Sequence, residues 1–116
     1  MNLHANGFLK LSTKGIEEDF AQDLTAEQKE VLAATQSPTA GAAFGTPVSN
    51  PAWKNMPTWF VVSGNDRVIA PELEEKEAER MKAIVITLPT SHVSMLAAPG
   101  EVAAFIEKAA SGRTEE

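Results

Sequence analysis

The chain has 116 residues, which suits one domain with its own core. Its 10 Lys and Arg against 16 Asp and Glu give a net charge of −6, which argues against nucleic acid as a partner. With no Cys and with two His far apart, the sequence predicts no disulfide, no metal site and no cofactor. No apolar stretch approaches the ~20 residues of a membrane span, and "MNLHANGFLKL" lacks the pattern of a signal peptide, so we expect a cytoplasmic protein without a membrane partner.

The first half of the chain has a helical pattern but few apolar residues. The stretch "IEEDFAQDL" (16–24) is typical of a helix, and Thr25 with Gln28 forms a capping box that predicts a second helix over 25–36. Residues 37–55 contain three of the seven prolines and favour a connecting arm, in which Trp53 packs its ring against the edge of the domain. We expect this first half to lie over another part of the protein.

The second half alternates apolar runs with helical patterns. "TWFVVS" and "AIVITL" (83–88) lack polar alternation, which is typical of parallel strands covered on both faces. A helix over 71–82 begins at Pro71, and a last helix begins at Pro99 with a predicted buried face. The residues of that face are Val102, Phe105, Ile106 and Ala109. The pattern predicts an α/β fold with a short parallel sheet of about two strands flanked by helices.

Asp66 and His92 both follow predicted strands. Loops that leave the carboxyl ends of parallel strands meet at one edge of the sheet, so these side chains are candidates for a hydrogen-bonded acid and base. Asp66 has an alternative role as a turn residue that bonds its own backbone, and His92 as a loop histidine without catalytic function. Their pairing is the hypothesis that a structure can test.

The region "NPAWKNMPTWFVVSGNDRVIAPELEEKEAERMKAIVITLPTSHVSMLAAPGEVAAFIEKAA" resembles the C-terminal part of the α/β-hydrolase family, in particular its short bacterial hydrolases and esterases. The upstream part is similar to the lid segment of the same proteins. The resemblance implies a lid and arm over 1–50, a hydrolase portion over 51–116, Asp66 as triad acid, His92 as triad base and structural roles for Trp53 and Trp59.

The sequence departs from this family at the nucleophile. Such enzymes place their serine in G-x-S-x-G before the acid and the histidine, and no G-x-S-x-G occurs here. The segment that supplies oxyanion donors is absent as well. Two hypotheses follow: the C-terminal part of an ester-hydrolysing enzyme, or a small protein that kept the fold for binding or self-association without catalysis.

The predicted sheet also bears on partners. Two parallel strands leave unpaired edges, and such edges recruit other strands. We therefore expect a homo-oligomer or a complex with a missing N-terminal half, and a small ester as substrate if the catalytic device is completed.

Overall fold

The computed structural model of the chain describes residues 2–3 and 5–112. Among these residues, no helix combines the length and the apolar character that crossing a membrane requires. The strands are β1 (Asn2–Leu3), β2 (Phe8–Lys10), β3 (Thr39–Ala40), β4 (Trp59–Ser63) and β5 (Ile84–Leu88). The helices are α1 (Thr13–Gly15), which continues as a π turn (Ile16–Phe20), α2 (Ala26–Thr35), α3 (Pro71–Arg80), α4 (Ser94–Ala97) and α5 (Pro99–Ala110). Short 3-10 turns cover Ala5–Gly7, Gly41–Phe44 and Ala52–Lys54.

The N-terminal part combines helices with a small antiparallel sheet in the order β1-β2-β3. The capping box at the start of α2 is confirmed, since the Thr25 hydroxyl accepts from the Gln28 backbone and the Gln28 side chain accepts from the Thr25 backbone. The helix predicted over 16–24 is too long, because the helical conformation ends at Phe20. The sheet itself was not predicted, since strands of two or three residues carry no readable alternation.

The C-terminal part confirms the predicted parallel pair. β4 and β5 run parallel, with Trp59 opposite Ile84 and Ser63 opposite Leu88, and α3 connects them. Pro71 occupies the first turn of α3, where its missing N–H costs no helical hydrogen bond. The chain thus has an α/β architecture: a short parallel sheet flanked by helices, preceded by a helical segment.

Two predictions about burial are wrong. β5 is not covered on both faces, since its residues alternate between half-buried and exposed and Val85 is 42% exposed. On α5, Ile106 is 60% exposed, and Phe105 is the side chain that is buried. A groove of about 440 Å³ lies between α5 and β5, and the helix lines it with Ala104 and Phe105 but not with Ile106.

Trp53 packs against α3, as predicted. The Arg80 guanidinium lies 5.2 Å from the centre of the indole ring, and the Lys54 ammonium lies 5.7 Å from it. Cations at such distances are attracted to the face of the ring. The contact anchors the connecting arm to the helix that follows β4.

The main buried apolar cluster joins the two parts of the chain. Ile16, Ala21 and Leu24 from the N-terminal part pack with Val93, which precedes α4. Because Val93 follows His92 directly, this cluster fixes the loop that carries the histidine. The predicted boundary near residue 50 stays a prediction.

Gly64 sits where the ends of β4 and β5 approach most closely. Its N–H donates to the Leu88 carbonyl at 2.7 Å, and a Cβ at this position would lie 3.1 Å from the same oxygen. The hydrogen bond fixes that oxygen, so it cannot yield to a larger residue without loss of the contact. A glycine is therefore required two residues before Asp66.

We predict that Gly64→Ala lowers the free energy of unfolding by about 1–3 kcal/mol, the usual cost of overpacking. The matched control is Gly100→Ala, because nothing lies within 4 Å of a Cβ at that helical position. The control should leave the free energy of unfolding unchanged or raise it by up to ~1 kcal/mol. Urea denaturation followed by circular dichroism measures both, and equal effects of the two substitutions would contradict the account.

Candidate active site

Asp66 and His92 meet because backbone pairing continues beyond the two parallel strands. The Gly64 N–H donates to the Leu88 carbonyl, and the Asn65 N–H donates to the Thr90 carbonyl at 2.9 Å. The loops that leave β4 and β5 are therefore held side by side. The Asp66 Oδ2 and His92 Nδ1 atoms lie 2.7 Å apart, so the predicted hydrogen bond is present.

The Asp66 carboxylate holds the turn as well as the imidazole. Its Oδ1 accepts from the backbone N–H groups of Val68 at 2.7 Å and Ile69 at 3.0 Å. Its side chain is fully buried, whereas 31% of the His92 side chain is exposed. The two alternatives for Asp66 are therefore not exclusive, because each of its oxygens serves one of them.

Glu74 is a third member of this cluster and was missed by the sequence analysis, which assigned it only to the positive end of α3. It is 6% exposed, and its Oε2 accepts from the Ser63 backbone N–H at 2.7 Å. Donor atoms of its side chain and of Asp66 lie within 4.8 Å of one another. One signal was available: Glu74 lies four residues before Ala78, so both occupy the buried stripe of α3.

The two acids of the cluster differ in their affinity for protons. Burial, and after it the neighbouring Asp66, raises the pKa of Glu74 to about 7. Burial also raises the pKa of Asp66, but hydrogen bonds from Glu74, the Ile69 backbone and His92 outweigh that effect and lower it overall. At a pH below about 7, Glu74 thus carries the proton while Asp66 is the anion.

Three hydroxyl groups form a hydrogen-bonded chain at the end of β4 and hold the loop that carries His92. Ser94 Oγ lies 2.6 Å from Ser63 Oγ and 2.8 Å from Thr90 Oγ1, and all three residues are buried. Because Ser63 and Ser94 bond each other, neither presents a free hydroxyl to His92. Through Thr90 and Ser94, this chain of hydroxyl groups fixes the loop on both sides of His92.

The segment around the π turn docks on both loops of the site. The Asp23 carboxylate accepts from the Ser91 N–H at 2.8 Å, and the Gln22 side chain donates to the Asn65 carbonyl at 2.7 Å. The rings of Phe20 and His92 lie 5.3 Å apart between centroids. Sequence analysis indicated that this segment lies over something else, and the structure places it over the candidate acid and base.

Two cavities adjoin this arrangement. A cavity of about 190 Å³ is lined by Asp66, Glu74 and His92 together with residues of β4. A second cavity, of about 340 Å³, lies within the N-terminal part, and its mainly apolar lining includes Leu11, Phe20 and Leu32. Phe20 thus stands between an apolar cavity and the imidazole.

Among the described residues, Asp66, Glu74 and His92 are the group whose donor atoms lie close enough to share a metal ion, within 4.8 Å of one another. Hydrogen bonds already join Asp66 to His92 and Glu74 to the backbone of β4. We therefore interpret the cluster as a network that shares protons.

Comparison with known families agrees with the fold. A model of the alpha/beta hydrolase family matches residues 3–105, which is most of the chain. The chain belongs to the alpha/beta hydrolase family. No curated protein matches its sequence.

The opposite pKa shifts of the two acids predict a narrow pH range of maximal stability. Because the pKa of Glu74 rises from 4.5 to about 7, its stabilising contribution is complete below 4.5 and is lost as the pH rises through 7. Because the pKa of Asp66 is lowered from 3.8, its contribution is present above 3.8 and is lost as the pH falls through the lowered value. Both contributions to the free energy of unfolding are complete between pH 3.8 and pH 4.5, so stability should be highest there.

We predict that Glu74→Gln reduces the loss of stability between about pH 5 and pH 8 by on the order of 1–3 kcal/mol. Glutamine can still accept from Ser63 and donate to Asp66, but it does not titrate. Urea denaturation at both pH values measures the difference. Glu75→Gln, at an exposed position of the same helix, should behave as the wild type, and a Glu74→Gln profile identical to the wild type would contradict the assignment.

Proposed function

We propose that this chain is the C-terminal part of a serine hydrolase that cleaves carboxylic esters, with Asp66 as the triad acid and His92 as the general base. The observation that supports the proposal is the 2.7 Å contact between Asp66 Oδ2 and His92 Nδ1 at the carboxyl ends of β4 and β5. A buried acid on Nδ1 fixes the tautomer of the imidazole. The Nε2 atom is then the atom that accepts a proton from a nucleophile.

The reaction follows from these roles once a serine is supplied. His92 Nε2 takes the proton of the serine hydroxyl as its oxygen attacks the ester carbonyl, and the protonated imidazole then gives that proton to the departing alcohol. Water attacks the acyl-enzyme by the same route and releases the acid and the free serine. Asp66 stays ionised throughout and stabilises the imidazolium, which agrees with its lowered pKa.

The N-terminal part would act as a lid in such an enzyme. Phe20 contacts the imidazole and also lines the apolar cavity of about 340 Å³. A cavity of this size and character suits the apolar acyl or alcohol group of a small ester. Asp23 and Gln22 tie the lid to the loops of Ser91 and Asn65.

We predict that the isolated chain hydrolyses p-nitrophenyl acetate no faster than its His92→Ala variant. An acid and a base without a positioned serine and oxyanion donors have no nucleophile to activate. The rate of p-nitrophenolate release measures this. Hydrolysis with a burst that His92→Ala abolishes would place the nucleophile within these residues and contradict the assignment.

A second experiment tests the proposed function on the protein from its native source. A fluorophosphonate probe should label a serine in the polypeptide, or in the complex, that contains residues 1–116, and His92→Ala should abolish the labelling. Labelling that persists in His92→Ala, or no labelling of any native species that contains this chain, would count against a serine hydrolase.

A second candidate function is binding or self-association without catalysis, and the open sheet favours it. In the described part of the chain β4 and β5 form a sheet of two strands, and Val85 is 42% exposed on it. Leu73 on α3 and Ile106 on α5 are also half-exposed or more. Such edges and faces are normally covered by further polypeptide.

We predict that the isolated chain forms a dimer or a larger species with a second copy, through strand edges paired across a two-fold axis or through exchanged helical arms. The contact should bury upward of ~2,000 Å² in total. Sedimentation equilibrium at low micromolar concentration measures the mass. A single species near 12.4 kDa that unfolds cooperatively would contradict this prediction.

A further inference from the structure

Glu74 lies beside the proposed acid and base, with donor atoms of the three side chains within 4.8 Å of one another, and no role in ester hydrolysis requires it. It is 6% exposed, which is unusual for a glutamate. Its Oε2 accepts from the Ser63 N–H at 2.7 Å, so the backbone of β4 fixes the orientation of its carboxyl group. A buried acid held in this way needs a partner for its second oxygen.

Asp66 lies beside it, with donor atoms of the two side chains within 4.8 Å of one another, and two carboxyl groups can hydrogen-bond each other only through a proton. An ionised carboxylate offers about four acceptor positions and no donor. Asp66 receives the Val68 and Ile69 N–H groups on one oxygen and His92 Nδ1 on the other. A protonated Glu74 supplies the fourth donor, whereas an ionised Glu74 would place two negative charges side by side in a buried site.

We propose that Glu74 is a positioning residue that shares a proton with Asp66. Through this proton, the ionisation of the Glu74 carboxyl group is coupled to the protonation of the His92 imidazole. This proposal rests on the proposed function, since it concerns the same acid and base. With the proton in place, Glu74 gives Asp66 a further fixed donor and the cluster carries one negative charge beside the imidazole. When the proton leaves to solvent, the cluster carries two negative charges and the imidazolium is favoured.

The ionisation of Glu74 depends on the charged groups near its carboxyl group. The charged groups that act on it are Asp66 on the loop after β4 and His92 on the loop after β5. The hydroxyl chain of Ser63, Thr90 and Ser94 does not titrate in the ordinary range. The rise of the Glu74 pKa to about 7 agrees with this geometry, so Glu74 gains or loses its proton near neutral pH.

The test is a pH titration of the isolated chain by NMR, with ¹³C labels in the glutamate carboxyl groups and observation of the His92 ring protons. One glutamate carboxyl should titrate with a midpoint near pH 7, and its signal should be missing in Glu74→Gln. Asp66→Asn, which removes the neighbouring negative charge, should lower that midpoint by about one unit or more, a tenfold change in proton affinity.

The His92 ring supplies the readout that a purely structural role would not move. Besides the step from protonation of the ring itself, its signals should show a second inflection at the midpoint of Glu74 in the wild type, and Glu74→Gln should remove that second inflection while the fold is kept. Glu75→Gln, at an exposed position on the same helix, should retain both features. No glutamate midpoint above about 6, or a second His92 inflection that persists in Glu74→Gln, would overturn the proposal.

This experiment needs no nucleophile, so it is separate from the test of ester hydrolysis. Coupling seen in NMR without any serine labelling of the native protein would refute the hydrolase proposal and keep the role of Glu74. Serine labelling of the native protein without coupling in NMR would support the hydrolase proposal and refute the role of Glu74. If Asp66→Asn does not fold, the wild type and Glu74→Gln titrations still decide the result.

Discussion

The structure of the site depends on one buried carboxylate, that of Asp66. Its two oxygens hold the turn that leaves β4 and the imidazole that follows β5, and Glu74 contacts it from α3. Removing this group would leave two backbone N–H groups, an imidazole and a second acid without their common partner. Burial of such groups is tolerated only when each is hydrogen-bonded. The local fold and the candidate chemistry therefore have the same requirement, which is that Asp66 stays ionised.

The rest of the described chain is arranged around the two loops that this carboxylate joins. Hydroxyl groups of Ser63, Thr90 and Ser94 fix the histidine loop, and the docked segment with Phe20, Gln22 and Asp23 contacts both loops. The apolar cluster of Ile16, Ala21, Leu24 and Val93 ties these layers together. An acid and a base can thus be held in register by the C-terminal part of a hydrolase fold, although no G-x-S-x-G is present in the sequence.

Much of this could be predicted from the sequence, because the geometry of parallel strands is local and regular. Unalternating apolar runs identified β4 and β5, and the rule that their carboxyl ends meet brought Asp66 to His92. Glu74 was missed because an acid after Pro71 is explained by the helix dipole alone, and its four-residue spacing from Ala78 was the one signal that it points inward. The contact of Asp23 with Ser91 spans 68 positions, and no periodicity reports such a distance. The error at Ile106 has a related cause: spacing shows which residues share a helix face, but not whether anything covers it.

The ionised state of Asp66 and its bond to His92 can be observed directly in the isolated chain. The measurement is the ¹⁵N chemical shift of each ring nitrogen of His92 at a pH where the imidazole is neutral. A carboxylate on Nδ1 holds the proton on that atom, so the account predicts the Nδ1–H tautomer in the wild type and its loss in Asp66→Asn. An Nε2–H tautomer in the wild type, or ring shifts that Asp66→Asn leaves unchanged, would contradict the central claim that these two residues form one acid and base pair.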